Sequence, residues 1–261
     1  MNPNDKQYAE SLQNLLGIMN ELRTKCPWDK KQTLESLRHL TIEETYELSD
    51  AILDSDLTAI KEELGDLMLH IVFYSQIADE QEAFDIADVI NGVCKKLIAR
   101  HPHVFAESTA ADAEEVRINW ELLKLKEKDT SVLAGVPRSL PALIKAQRIQ
   151  EKFSGVGFDW KCKEHVWEKV EEEVGEFKES FQNDNLENVE NEFGDLLFSL
   201  VNYARFIAVN SETALEKANK KVMKRFNYIE FAAKHDNKTV ADLTSEEMDV
   251  YWEAAKKMEQ S

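Results

Sequence analysis

The stretch Glu172-Glu173-Val174-Gly175-Glu176, followed in the same half of the chain by Glu192-Phe193-Gly194-Asp195, decides how this sequence reads. Both motifs have earlier counterparts, Glu43-Glu44-Thr45-Tyr46-Glu47 and Glu63-Leu64-Gly65-Asp66, at one common offset. Each second motif opens an apolar run, LMLHIVFYSQIA in one half and LLFSLVNYARFIA in the other. Further on, Lys96 and Arg100 match Lys221 and Arg225, and the segment around Trp120 matches that around Trp252. Ordered anchors with only small shifts between them mark a tandem duplication.

The copies read as helices. None of the five prolines lies beyond Pro141, so the C-terminal part is free of the strongest helix breaker. Polar/apolar alternation of the strand type is rare, which makes the class all-α. The Ser/Gly/Pro-rich stretch Asp129 to Pro141 is the join. Two tandem helical-bundle domains are therefore expected, residues 1–130 and residues 131–261. In the C-terminal domain the pattern predicts helices at 140–153, 162–182, 186–209, 211–235 and 244–259, with a hairpin at Asn183-Asp184-Asn185. In the N-terminal domain it predicts 32–53, 56–80, 85–100 and 112–128.

Advancing each helical residue by about 100° turns the motifs into geometry. Val166, Trp167, Val170, Val174, Phe177 and Phe181 share one apolar stripe, and Lys169, Glu172, Glu173 and Glu176 form a ridge along its edge. On the next helix Glu192 and Asp195 flank the apolar arc, beside Asn188. Packed as a hairpin, the two helices bring Glu173, Glu176, Glu192 and Asp195 to one rim. Two like charges about 4 Å apart repel by roughly 4 kcal/mol at an effective dielectric near 20. Such a meeting calls for raised pKa values or a bound cation. Oxygen-only ligands suit a hard ion, Mg²⁺ first and Mn²⁺ as a substitute. A single ExxE is ordinarily a solvated helix face; the duplicated pair is what argues for a site. Gly65 and Gly194, each beside the acidic pair, suggest close approach by a backbone or a ligand, since a mid-helix glycine costs about 1 kcal/mol. No histidine follows a glutamate at the spacing of di-iron bundles.

Lys221 and Arg225 stand four apart on one helix face, a spacing that lets two cations grip one polyphosphate. Trp252 is a stacking face for a nucleobase or a core residue. Phosphate-binding glycine loops are absent from the sequence, so phosphate handling falls to metal and side chains. The 50 acidic against 32 basic residues, net −18, repel a nucleic-acid backbone. No apolar run suits a membrane span and the polar start lacks a signal-peptide core, so the expected compartment is the cytoplasm. Cys26, Cys94 and Cys162, scattered and odd in number, read as reduced thiols.

These residues resemble the MazG family of nucleoside triphosphate pyrophosphohydrolases along essentially the whole chain. The resemblance is carried by CPWDKKQT (26–33), EETYEL (43–48), EELGDL (62–67), RHPHVF (100–105), VPRSLPALIKAQRIQEK (136–152), VGFDW (156–160), EEVGE (172–176), EFGDLLF (192–198) and ANKKVMKRF (218–226). It implies hydrolysis of NTPs and dNTPs to monophosphate and pyrophosphate, broad base tolerance, Mg²⁺ dependence and a homodimer. It implies Glu173, Glu176, Glu192 and Asp195 as metal ligands, with Glu172 in the same cluster. Lys169, Lys221, Arg225 and Trp252 become nucleotide contacts, and Asn188 is a neutral member of the substrate face. The resemblance also implies that the C-terminal domain is the catalytic one, and the sequence agrees in one respect: Leu40 stands in the N-terminal copy where the other has Lys169. Asn191, in turn, stands where the N-terminal copy has Glu62.

The expected chemistry is in-line attack of a metal-activated water on the α-phosphorus. Glu172, Glu173 or Glu176 would orient or deprotonate that water. A rival of another class is an acidic helical interaction or regulatory protein that binds nucleotide or metal without turnover.

Overall fold

A computed structural model of the chain describes residues 4–106, 112, 116, 120, 131–183 and 185–259. Among the described residues every regular element is helical. The chain divides into two compact units, Met1–Ala111 and Asp112–Ser261. Apart from Asp112, Val116 and Trp120, the helix expected at 112–128 lies outside the described residues, as does the expected boundary at 130.

The first unit contains α1 (Asp5–Lys25), α2 (Leu34–Leu53), α3 (Leu57–Asp79), α4 (Ile86–Arg100) and the short α5 (Pro102–Phe105). Helix α2 starts at a capping box in which Thr33 and Ser36 satisfy each other's backbone N–H groups. Asp56 caps α3 by accepting from the N–H groups of Thr58 and Ala59. The two helices pack side by side, and α1 lies against α3. Met19, Leu37, Val72, Phe73 and Ile77 form the buried core. Helix α1 is absent from the sequence expectation, whose first helix in this domain begins at 32. Leu15 and Leu16 of α1 pack against the core, and Met19 is its only fully buried residue among those described. Arg23, near its end, donates to the carbonyls of Asp29 and Gln32 and pairs with Glu80. That clamp holds the segment between α1 and α2.

The second unit contains α6 (Ala142–Gly155), α7 (Lys163–Ser180), α8 (Leu186–Phe206), α9 (Ser211–His235) and α10 (Ser245–Met258). These match the five expected helices to within a few residues at each end. Helices α7 and α8 form an antiparallel hairpin, and Asn185 starts the second arm by accepting from the N–H of Glu187 at 3.1 Å. Helix α6 packs across α8 and α9. Val166 and Val170 are buried as the stripe requires. Trp167 and Phe181, placed in the same stripe by periodicity, are 43% and 59% exposed. They lie at its margin, Trp167 against the Tyr203 ring at 4.8 Å and Phe181 against Phe177 at 4.9 Å. A second core cluster, Ile229, Ala233 and Leu243, joins α9 to α10 and takes Trp252 on its flank.

Candidate functional site

Glu173 sits in the middle of α7, 6% exposed, where a carboxylate is costly unless it is paired. Its partner is on its own helix: Lys169 Nζ lies 2.7 Å from Glu173 Oε1 and 2.8 Å from Glu172 Oε1. Hydrogen bonds to those two carboxylates hold the lysine well above its ordinary pKa. The second oxygen, Glu173 Oε2, is buried with no hydrogen-bond partner. Across the hairpin, Glu192 on α8 joins Glu173 and Glu176, with one oxygen from each of the three within 4.8 Å of the others. Burial, then the charge of Glu173, push the Glu176 pKa up; Lys169 opposes that shift, and Glu172 and Glu192 add to it. Asp195 lies one helical turn beyond Glu192 and outside this tightest group.

The first unit repeats the arrangement with a different member drawn in. There Glu44, Glu63 and Asp66 supply oxygens within 4.8 Å of one another. Asp66 is the counterpart of Asp195, so the four positions are the same and the two copies favour different triplets. Burial first, and then neighbouring carboxylates, push Glu44, Glu47 and Glu63 above the ordinary carboxylate range. Leu40, at the place of Lys169, packs against the core of this unit. The N-terminal cluster therefore lacks the cation that the C-terminal one carries on its own helix.

An all-oxygen set from two helices, one of its oxygens buried and unpartnered, fits a hard divalent cation. Of the two expected reasons for Gly65 and Gly194, close approach by a backbone or by a ligand, the first is not met. A side chain at either would meet no heavy atom within 4 Å. The space beside each acidic pair is open to a ligand.

Of the remaining predicted residues, Lys221, Arg225 and Trp252 lie on α9 and α10, and Asn188 on α8. Arg225 on α9 pairs with Glu259 at 2.7 Å and lies over the Trp252 ring at 5.3 Å. Lys221 is exposed one turn earlier on α9. Asn188 is half-buried on α8, one turn before Glu192. Among the described residues no hydrogen bond or ion pair links the Arg225–Trp252 group to the carboxylates.

Sequence reasoning missed a third feature. The VGFDW segment, quoted only as a likeness, folds back on α6 through Gly157, whose φ of +83° suits glycine, and through Phe158 N–H donating to the Phe153 carbonyl at 3.0 Å. Asp159 then accepts two hydrogen bonds from the Arg205 guanidinium, at 2.8 and 2.5 Å. Burial works to raise the Asp159 pKa, but its hydrogen bonds from Arg205, Ser154 and the Trp160 N–H carry it below the ordinary range.

A family model described as the MazG nucleotide pyrophosphohydrolase domain matches the chain twice, at residues 32–105 and 163–229, so each carboxylate hairpin falls within a match. A protein of Thermotoga maritima named nucleoside triphosphate pyrophosphohydrolase/pyrophosphatase MazG is 46% identical over 256 residues, covering 96% of this chain and 98% of the relative. An Escherichia coli protein named nucleoside triphosphate pyrophosphohydrolase is 42% identical over 259 residues, covering 95% and 98%. A Bacillus subtilis protein, YabN, is 45% identical over 249 residues, which make up 93% of this chain but 51% of that one. With its two matched domains and nearly full-length relatives, the chain belongs to the MazG family of nucleotide pyrophosphohydrolases.

Proposed function

We propose that this enzyme hydrolyses nucleoside and deoxynucleoside triphosphates at the α–β bond, giving monophosphate and pyrophosphate, with broad base tolerance and with Mg²⁺ as its cofactor. The observation that carries the reading is the convergence of Glu173, Glu176 and Glu192 oxygens within 4.8 Å around a buried, unpartnered Glu173 oxygen. The names of the Thermotoga and Escherichia relatives agree with it.

Glu173, Glu176, Glu192 and Asp195 would hold the cation, Asp195 entering by a side-chain rotation from one turn away. When bound, Mg²⁺ supplies Lewis acidity and lowers the pKa of coordinated water. The chain's own residues do the rest. Glu172 stands at the rim of the cluster, 56% exposed at its side chain and tied to Lys169, in a position to accept a proton from water that enters from solvent. Lys169, held beside Glu172 and Glu173, would offer its charge to the phosphates of a triphosphate bound at the cluster. Lys221 and Arg225 grip the departing pyrophosphate, the second held in place by the Trp252 face. Asn188, neutral and one turn before Glu192, donates to a phosphate oxygen without adding charge.

Product analysis on an NTP and dNTP panel tests the reaction. Monophosphate plus pyrophosphate supports it, whereas diphosphate plus phosphate places the cut at the other anhydride. Glu173→Ala and Asp195→Ala test the site, and wild-type pyrophosphate release with Mg²⁺ in both variants would remove it.

A further inference from the structure

Beyond the carboxylates, the second unit holds a pocket of about 400 Å³ lined by Phe153, Phe158, Trp160, Phe198, Gln150 and Asn202. That volume falls among small-molecule sites, which span roughly 300–1,000 Å³. Its walls are aromatic: Phe153 and Phe158 meet edge to face at 5.6 Å, and Trp160 stands 45% exposed at the mouth. Two amides supply its polarity. Gln150 is 3% exposed, and its Nε2 donates to the Phe198 carbonyl at 2.8 Å. That bond fixes which end of the amide is oxygen, and Gln150 Oε1 is left buried with no partner. Asn202 gives its oxygen to Arg205 at 2.9 Å, so its amide nitrogen remains as a donor. The two charged lining residues, Asp159 and Arg205, pair with each other, and Arg205 also donates to Asn202. The pocket is therefore neutral and has no guanidinium edge free for a phosphate.

We infer that this pocket binds a nucleobase, stacked on its aromatic wall and read by the Gln150 oxygen as acceptor and the Asn202 nitrogen as donor. A buried acceptor without a partner favours a ring bearing N–H, and stacking on aromatic faces tolerates any base. An N–H donor beside an acceptor is the pattern on a base's pairing edge. Position links the pocket to the carboxylates. Asn202 is seven residues after Asp195 on α8, nearly the same face and about 10 Å along the axis, the reach of a nucleoside. Trp252 is the less suitable platform, because Arg225 lies over its ring. The inference rests on the reading that this site works on nucleotides. Its occupant is either the base of the triphosphate held at the carboxylates or a separate nucleoside.

Phe158→Ala and Trp160→Ala remove stacking surface that is already 75% and 45% exposed, so both variants fold. They are compared with wild type, with unfolding midpoints as the fold check, in three measurements: KM for the NTP panel, Ki for inorganic tripolyphosphate as a base-free competitor, and calorimetric binding of nucleosides. A KM raised about tenfold with an unchanged tripolyphosphate Ki places the substrate's base in the pocket. Nucleoside binding lost in both variants with an unchanged KM places a separate nucleoside there. No nucleoside binding to wild type at millimolar concentration, together with KM and Ki that move in parallel or not at all, overturns the inference. A wild type that turns over no triphosphate defeats the proposed reaction instead, and the nucleoside measurement still judges the pocket.

Discussion

Lys169 stands where two roles meet. It pairs with Glu172 and Glu173, and in the proposed reaction it would turn to the phosphates. Its side chain is 35% exposed against 8% for Glu173, so the pair lies between the surface case and the buried one. Lys169→Met leaves a buried carboxylate without a counter-charge. The expected result is a loss on the order of 1 kcal/mol in metal-free stability, largely restored by millimolar Mg²⁺, with kcat/KM still reduced. Chemical denaturation with and without Mg²⁺ measures this, and an equal loss under both conditions would separate the lysine from the metal site. Glu176 has a pH signature. Its folded-state pKa is raised, so it holds a proton more firmly folded than unfolded. Its cost to stability is absent below the ordinary carboxylate range and grows as pH rises through the raised value. Glu80, Asp159 and Glu259 are shifted down and act with the opposite sign, losing their stabilisation as pH falls. Glu176→Gln isolates the first effect: in metal-free protein the variant gains stability over wild type as pH climbs from about 4 to 7, and saturating Mg²⁺ removes the gain.

At the scale of the element, the hairpin α7–α8 is where a glycine and an acidic pair share a turn. Gly194 is exposed and helical, and a methyl there would touch nothing within 4 Å. Gly194→Ala should therefore stabilise the metal-free protein by about 0.5–1 kcal/mol, while raising KM for triphosphates if the open space receives the substrate. An unfolding curve beside a kinetic one checks both halves. Periodicity made this hairpin legible: Val166, Val170 and the Glu173, Glu176, Glu192 rim follow from a helical wheel and a short break. Asp195 lies outside the tightest group although its counterpart Asp66 lies inside the other one, a difference between copies that a helical wheel does not carry. Trp167 carried an apolar label into a stripe whose margin it occupies. Helix α1 escaped notice although Leu12, Leu15, Leu16, Met19 and Leu22 keep a helical spacing, because it lies before the repeated motifs from which the domain was read. The aromatic pocket was out of reach for another reason: it is assembled from α6, α8 and the Gly157 turn, and no spacing along the chain encodes that meeting.

For the molecule as a whole, duplication and exposed apolar surface each carry a consequence. Val222, Met223 and Phe226 on α9 are 48%, 62% and 44% exposed, and Leu197 and Leu200 on α8 are 40% and 41% exposed. Exposed apolar side chains of this kind are candidates for an association surface, where the homodimer implied by the family resemblance would form. Met223→Glu is expected to shift the mass measured by light scattering from two chains to one at micromolar concentration, and an unaltered dimer would move the interface elsewhere. The duplication allows a sharper comparison. Both copies gather three carboxylates, but only the C-terminal one has a lysine among them, while Leu40 is committed to the core in the other. With no lysine at the place of Lys169 to turn to the phosphates, the N-terminal cluster is expected to grip triphosphate less well than the proposed C-terminal site. Glu44→Gln with Glu63→Gln should therefore leave most pyrophosphate release intact, whereas Glu173→Gln with Glu192→Gln should lower kcat/KM by at least about 100-fold, as loss of metal-site groups does. Each pair also removes like charges that repel one another, so neither is expected to unfold its unit. Equal losses from the two pairs would mean that Lys169 does not set the difference, and that the two sites act together.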